Sequence, residues 1–174
     1  VGIIGLGWIG KGVAKRLRGF DCTILYHNRN RLSAEEEAAL GVRYATLDDL
    51  LAESDVVSLN CPLTEQTRAM IGAAALARMK RGALLVNVAR GGVVVEADLV
   101  EALRSGHLAG AAVDVFDVEP PPPDHPLLHM ENVIVTPHTA STARENSRRS
   151  VAHWLGNMVR MEMGEAIPER DVVL

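Results

Sequence analysis

Three glycines near the start of the chain have the spacing Gly5-x-Gly7-x-x-Gly10, which could bind the pyrophosphate of a dinucleotide. The apolar residues 1–4 predict a strand before them, and apolar residues spaced four apart predict a helix after them. Gly5 permits a sharp bend, Gly7 lets a pyrophosphate approach the main chain, and Gly10 lets the helix pack closely on the strand. The helix N-terminus offers N–H groups to phosphates. Although glycine-rich turns are common, this order of elements predicts a nucleotide site.

The segment His27-Asn-Arg-Asn-Arg31 follows a second β-rich run and indicates which dinucleotide would bind. Dinucleotide-binding domains that prefer NAD usually carry Asp or Glu at this point of the chain to bind the adenosine ribose. This chain has Asn28, Arg29 and Arg31 there instead. The two arginines could bind a 2′-phosphate through charge-assisted hydrogen bonds, although a solvated basic loop would have the same sequence. The missing carboxylate favours NADP(H), with NAD(H) still possible.

Arg90, Glu119 and His138 each follow one of three successive predicted strands. Because the carboxyl ends of parallel strands meet at one edge of a sheet, these side chains could lie together although they are distant in sequence. Arg90 alone would ordinarily be interpreted as a surface residue, but two glycines beside it favour a crowded site. Asp114 lies within an apolar strand, where a carboxylate is costly unless it is paired or faces a ligand.

The composition of the 174 residues argues against several classes of partner. A net charge of −4 gives no basic surface for nucleic acid or an anionic membrane. No apolar run is long enough to cross a bilayer, and no signal segment is recognisable. Cys22 and Cys61 suffice for neither a disulfide framework nor a metal site, so we expect a reducing cytoplasm and no metal. The chain opens inside its first strand, which suggests a piece of a longer protein.

Alternating strands and helices predict an α/β fold with a doubly wound, parallel, Rossmann-type sheet. The predicted strands are residues 1–4, 23–26, 42–44, 56–59, 83–88, 110–115 and 132–135. The predicted helices are residues 9–18, 33–40, 46–53, 67–79, 96–105 and 142–163. The last helix carries an apolar stripe that favours core or a subunit interface, namely Val151, Trp154, Leu155, Met158 and Val159. We expect a dinucleotide-binding domain over residues 1–163 and an exit segment over 164–174.

Five motifs in this order resemble the cofactor-binding domain of the D-isomer-specific 2-hydroxyacid dehydrogenases, over nearly the whole chain. They are Gly5-Leu-Gly-Trp-Ile-Gly10, Cys61-Pro-Leu-Thr-Glu-Gln-Thr67, Asn87-Val-Ala-Arg-Gly-Gly92, Asp114-Val-Phe-Asp-Val-Glu-Pro120 and Thr136-Pro-His138. The loop at residues 27–31 further resembles the glyoxylate/hydroxypyruvate reductase branch, which tends to use NADPH. The resemblance implies an oxidoreductase that transfers hydride between NADP(H) or NAD(H) and a small 2-oxoacid or D-2-hydroxy acid.

The resemblance also implies a role for each site residue. Arg90 would hold the substrate carboxylate and polarise the carbonyl, and His138 would exchange a proton with the carbonyl oxygen. Glu119 would orient the imidazole and favour its protonated form. The implied cofactor-binding residues are Gly5, Gly7, Trp8, Ile9, Gly10, Asn28, Arg29, Arg31, Cys61, Pro62, Thr67, Val88, Ala89, Arg90, Asp114, His138 and Ala140.

Two further interpretations stay open at this point. Relatives of the family act as corepressors whose NAD(H) binding promotes assembly, and a domain of this fold could also use its cofactor for other chemistry. In this family the substrate domain is built from sequence on both sides of the cofactor domain, and the N-terminal part is absent here. The choice of 2-oxoacid is therefore open, while the resemblance implies a homodimer.

Overall fold

The computed structural model describes residues 1–172, and the predicted exit segment ends with Val173 and Leu174, which lie outside the described residues. Contacts divide the chain into two compact units, Val1–His138 and Thr139–Leu174. The long last helix belongs to the second of these units. The domain boundary that we expected after residue 163 stays a prediction.

Seven parallel strands form a single sheet in the first unit. They are β1 (Gly2–Ile4), β2 (Leu25–His27), β3 (Arg43–Tyr44), β4 (Val56–Leu59), β5 (Leu84–Asn87), β6 (Gly110–Val113) and β7 (Val133–Val135). Their order is β3-β2-β1-β4-β5-β6-β7, which is the doubly wound order with one strand added. The predicted α/β fold is confirmed. The chain reverses its direction of winding between β1 and β4, and the crevice outside that point is where such sheets bind ligands.

Six helices connect or follow these strands within the described residues. They are α1 (Trp8–Leu17), α2 (Ala34–Leu40), α3 (Leu47–Glu53), α4 (Ala73–Arg78), α5 (Glu96–Arg104) and α6 (Arg144–Glu162). A capping box starts α2, because Ser33 Oγ accepts from Glu36 N at 3.2 Å and Glu36 Oε2 accepts from Ser33 N at 3.4 Å. Gly41, with φ of 66°, ends the same helix.

The helix predicted over residues 67–79 is wrong in its first half, because only α4 is helical there. Thr67 Oγ1 instead donates to Pro62 O at 2.6 Å and accepts from Thr64 N at 2.8 Å. Short polar side chains that bond to nearby main-chain groups in this way compete with helix formation. Ile71 N then donates to Val93 O, which draws the segment towards the loop after β5.

The core lies on both faces of the sheet, as its alternating side chains require. Ile3 packs with Tyr26 and Leu6 on one face, whereas its neighbour Ile4 packs with Leu59 on the other. Both isoleucines of β1 are almost fully buried. This central strand therefore holds the glycine turn that follows it in a fixed position.

The second unit contains α6, none of whose residues is buried within the described chain. The predicted apolar stripe is accordingly exposed, with Trp154 at 63% and Met158 at 64%. It does not form core among residues 1–172, and an interface stays a prediction for it. None of the helices among residues 1–172 is both long enough and apolar enough to cross a membrane.

Candidate active site

The glycine turn between β1 and α1 is closely packed at Gly5 and Gly10 and open at Gly7. Gly5 has φ of 93°, and a side chain there would strike the main chain of Asn60 and Cys61. A side chain at Gly10 would overlap Gly5 O, so α1 packs directly on the turn. At Gly7, by contrast, an added Cβ would meet nothing within 4 Å. No side chain caps the N-terminus of α1, which leaves its first N–H groups for a ligand or water.

A cleft of about 450 Å³ opens beside this turn, at the carboxyl ends of β1, β4 and β5. Its lining is Gly7, Trp8, Ile9, Asn60, Cys61, Pro62, Leu63, Val88, Ala89 and Arg90. Sequence reasoning missed Asn60 and Leu63, although their positions beside the Cys61-Pro62 motif were a usable signal. Burial raises the pKa of the Cys61 thiol, so this part of the wall is uncharged and apolar.

The loop after β2 is tied down at both ends. Asn28 Oδ1 accepts from Leu6 N at 2.6 Å, which joins the loop to the glycine turn. Arg31 makes a two-bond fork with Glu37, at 2.7 and 2.9 Å, and Tyr26 donates to the same carboxylate at 2.7 Å. Hydrogen bonds from Arg31 and then Tyr26 lower the pKa of Glu37 to about 2.

This pairing changes which arginine of the loop is available to a phosphate. The charge of Arg31 is balanced by Glu37, whereas Arg29 is exposed and has no ion pair or side-chain hydrogen bond among residues 1–172. The expected pair of phosphate-binding arginines is therefore reduced to Arg29 as the unpaired cation of the loop. Nothing in the sequence signals the fork, because Arg31 and Glu37 belong to different elements.

Asn87, the last residue of β5, shapes the loop that carries Arg90. Its Oδ1 accepts from Ala89 N at 3.1 Å and its Nδ2 donates to Arg90 O at 3.1 Å. The Arg90 guanidinium is exposed and donates to Ala89 O at 2.7 Å. Because guanidinium nitrogens carry further donors, Arg90 can still bind an anion at the cleft. Sequence reasoning assigned no role to Asn87.

Glu119 and His138, which we predicted to meet at this edge of the sheet, form an ion pair. Glu119 Oε2 lies 2.7 Å from His138 Nδ1, and Glu119 Oε1 accepts from Phe116 N at 2.9 Å. These hydrogen bonds, that from His138 first, hold the pKa of the Glu119 carboxyl below its ordinary value. With Nδ1 held by Glu119, the other ring nitrogen of His138 is the one that can exchange a proton with a substrate.

Asp114 links the three strand ends that carry these side chains. His138 N donates to Asp114 O at 2.8 Å, and Asp114 N donates to Asn87 O at 3.0 Å. Asp114 is 4% exposed, and its carboxylate accepts a hydrogen bond from Thr136 Oγ1, which offsets the free-energy cost of burying the charge. Arg90, Asp114 and His138 thus stand on neighbouring loops. Ala140, also expected at the cofactor, lies in the second unit.

Comparison with known proteins gives the same picture as the geometry. The family model of the D-isomer specific 2-hydroxyacid dehydrogenase, NAD binding domain, matches residues 1–140. Glyoxylate reductase from Korarchaeum cryptofilum is 48% identical over 168 residues, which is 97% of this chain and 50% of that protein. The chain spans about half the length of the curated relatives it matches.

Two solved structures show the likeness in three dimensions. A D-isomer specific 2-hydroxyacid dehydrogenase from Xanthobacter autotrophicus Py2, in complex with NADPH and MES, has a TM-score of 0.82 and 42% identity over 96% of this chain and 68% of its own. A formate dehydrogenase from Granulicella has a TM-score of 0.93 and 32% identity over 99% of this chain and 46% of its own. The chain belongs to the D-isomer-specific 2-hydroxyacid dehydrogenase family of oxidoreductases and corresponds to the NAD-binding domain of that family.

Proposed function

We propose that the protein is a 2-oxoacid reductase that prefers NADP(H), with NAD(H) as a weaker alternative, and acts on a small substrate such as glyoxylate or hydroxypyruvate. The observation that carries this proposal is the Glu119–His138 ion pair, which joins the loops after β6 and β7 with Glu119 Oε2 and His138 Nδ1 2.7 Å apart. An acid–base group at a strand end beside a dinucleotide cleft is what reversible reduction of a carbonyl needs.

The residues divide the work by their chemistry. When bound along the glycine turn and the Val88–Ala89 wall, a nicotinamide cofactor supplies or accepts the hydride. Arg90 binds the carboxylate of the substrate and polarises its carbonyl through its planar set of donors. His138 gives a proton to the carbonyl oxygen during reduction and removes it during oxidation. Glu119 holds the ring in position and stabilises the imidazolium.

The acid–base pair favours a reductase over another activity found among similar structures. Oxidation of formate to carbon dioxide transfers a hydride but moves no proton to or from a carbonyl oxygen. A Glu119–His138 pair would have no such proton to carry in that reaction. The 48% identity with a glyoxylate reductase supports the same choice.

Steady-state assays of the intact protein with NADPH and either glyoxylate or hydroxypyruvate test the reaction. We expect oxidation of NADPH that depends on the 2-oxoacid. Arg90→Lys should raise the KM for the 2-oxoacid by about tenfold, because a point charge replaces a two-bond fork. Arg81→Lys is the matched control, since Arg81 lies before the amino end of β5, whereas Arg90 follows its carboxyl end. Failure to oxidise NADPH with either acid would refute the proposal.

The preference for NADP(H) rests on the loop after β2. Asn28 stands where a ribose-binding carboxylate is usual, and Arg29 is the unpaired cation beside it. The complex of the Xanthobacter relative contains NADPH, which supports the same preference. Fluorescence titration should give NADPH at least about tenfold tighter binding than NADH, or roughly 1.4 kcal/mol, and Arg29→Asp should abolish the margin. Equal binding of the two cofactors would refute the preference and favour a cofactor-sensing module instead.

We further propose a homodimer that works in a reducing cytoplasm. The exposed apolar side chains of α6 support association, and the free thiols of Cys22 and Cys61 support the compartment. Light scattering during gel filtration measures the mass directly. A monomeric mass at concentrations used for activity would contradict the dimer.

A further inference from the structure

A second carboxylate–imidazole pair holds the loop that carries Glu119, from outside the active site. Glu96, the first residue of α5, places Oε2 3.1 Å from His125 Nε2. Its other oxygen, Oε1, accepts from Asp117 N at 2.8 Å. The Glu96 and His125 side chains are only 21% and 14% exposed, so the pair is shielded from water far better than Glu119 and His138 are.

The main chain around the Phe116–Asp117 peptide connects the two pairs. Phe116 N donates to Glu119 Oε1 at 2.9 Å, while the next N–H along the chain donates to Glu96. Gly91 packs against the same peptide so closely that an added Cβ would overlap the Phe116 carbonyl. Phe116 N lies in the preceding peptide, which shares the Phe116 Cα, so a shift of the Phe116–Asp117 peptide would also move the N–H group that Glu119 accepts from.

The direction of the Glu96–His125 hydrogen bond is fixed by the main chain. His125 Nδ1 accepts from Leu127 N at 3.3 Å, so the ring proton must lie on Nε2, which then donates to Glu96. The ring also meets Phe116 edge to face, with centroids 5.3 Å apart. Leu127 is fully buried, which anchors this end of the loop in the core.

We propose that Glu96 and His125 are positioning residues for the Glu119–His138 pair. Neither contacts the reacting groups through any hydrogen bond of the described chain; they hold the Phe116–Asp117 peptide so that Glu119 keeps both of its donors. The proposal rests on the proposed function only in naming Glu119 and His138 as the groups that serve catalysis. Removal of Glu96 should loosen the peptide and weaken the Phe116 N–H bond to Glu119, which helps to hold down the pKa of that carboxyl.

The test is an NMR titration of the full 174-residue chain without cofactor or substrate, following the Glu119 carboxyl carbon and the His138 ring nitrogens. The charged groups that act on Glu119 are His138 and, more weakly, Asp114. Glu96→Ala should raise the pKa of Glu119 by about 0.5 or more, a threefold change in proton affinity, and alter the His138 nitrogen shifts. Glu101→Gln, an exposed residue of the same helix, should change neither.

Glu96→Gln provides a second variant that keeps the size of the side chain. Its single amide oxygen can serve only one of the two donors that Glu96 now accepts from, so its effect should be smaller than that of alanine. In the intact protein we expect Glu96→Gln to lower kcat by at least about threefold and leave the KM for the cofactor unchanged.

The proposal is overturned if Glu96→Ala, melting as cooperatively as the Glu101→Gln control, leaves the Glu119 titration and the His138 signals where they are. If alanine prevents folding, the same unchanged signals in Glu96→Gln overturn it. A shifted titration with an unchanged kcat would also overturn it, since the position of Glu119 would then have no effect on catalysis. Because the titration needs no substrate, an intact protein inactive towards 2-oxoacids would refute the proposed function separately.

Discussion

Three glycines of one turn and helix can be used to separate packing from ligand binding. At Gly10 an added Cβ would overlap Gly5 O and lie 3.3 Å from the Ile3 side chain, which is buried in the core. Overpacking of this kind costs about 1–3 kcal/mol. At Gly12, two residues further along α1, the nearest atom would be Arg16 Nη1 at an ordinary 3.5 Å. There the usual gain of about 0.5–1 kcal/mol for alanine over glycine inside a helix should appear.

Thermal melts should therefore move in opposite directions for two identical substitutions in one helix. For a chain of this size, 1 kcal/mol shifts the Tm by about 2–4 °C, so Gly10→Ala should lower it by at least about 2 °C and Gly12→Ala should raise it. Gly7→Ala should change the Tm little, since its Cβ meets nothing and φ of −81° suits alanine.

NADPH binding should distinguish Gly7 from the other two glycines, Gly10 and Gly12. We propose that a pyrophosphate binds beside Gly7, where a methyl group would occupy its space, so Gly7→Ala should weaken NADPH binding by at least about tenfold, or 1.4 kcal/mol. Gly12→Ala should bind as the parent chain does. Unchanged affinity in Gly7→Ala, or equal melting temperatures for Gly10→Ala and Gly12→Ala, would refute this account of the turn.

Two further predictions concern stability. Ser33→Ala removes the cap of α2 and should lower the free energy of unfolding by about 1 kcal/mol in urea, a result contradicted by an unchanged midpoint. Glu37 has a pKa of about 2 in the folded chain, below the unfolded value of about 4.3, so its contribution is present above about pH 5 and lost as pH falls towards 2. Glu37→Gln should therefore flatten the loss of stability across that pH range in acid titrations followed by circular dichroism, whereas the exposed control Glu65→Gln should not.

Much of the fold follows from the order of apolar runs and turn residues. The runs around Ile3, Leu59 and Leu85 are short and apolar on both faces, which is the pattern of strands covered by helices on both sides. The capping residues Ser33 and Thr46 mark helix starts because their side chains accept from main-chain N–H groups three residues on. Such signals are local, because each cap joins residues only three positions apart.

Other features depend on contacts that the sequence does not reveal. The residues before α4 form turns and not a helix, because the Thr67 side chain hydrogen-bonds within its own loop. Hydrophobic periodicity does not reveal such a bond. The fork between Arg31 and Glu37 joins a loop to a helix, and only their distance in space shows that one arginine is already paired. Motifs predicted that Glu119 and His138 would meet, whereas Asn87, Glu96 and His125 gained their roles only from hydrogen bonds across loops.

The proposed function makes His138 the group that transfers the proton during reduction of a 2-oxoacid. His138 has φ of 55°, a conformation that asparagine tolerates better than alanine, so His138→Asn removes the acid with the least strain on the backbone. We predict that kcat for glyoxylate reduction by the intact protein falls by about 10²–10⁴ in His138→Asn, while the exposed control His129→Asn keeps the parent rate. A kcat for His138→Asn within about twofold of the parent value, far short of a general acid's usual contribution, would contradict the claim.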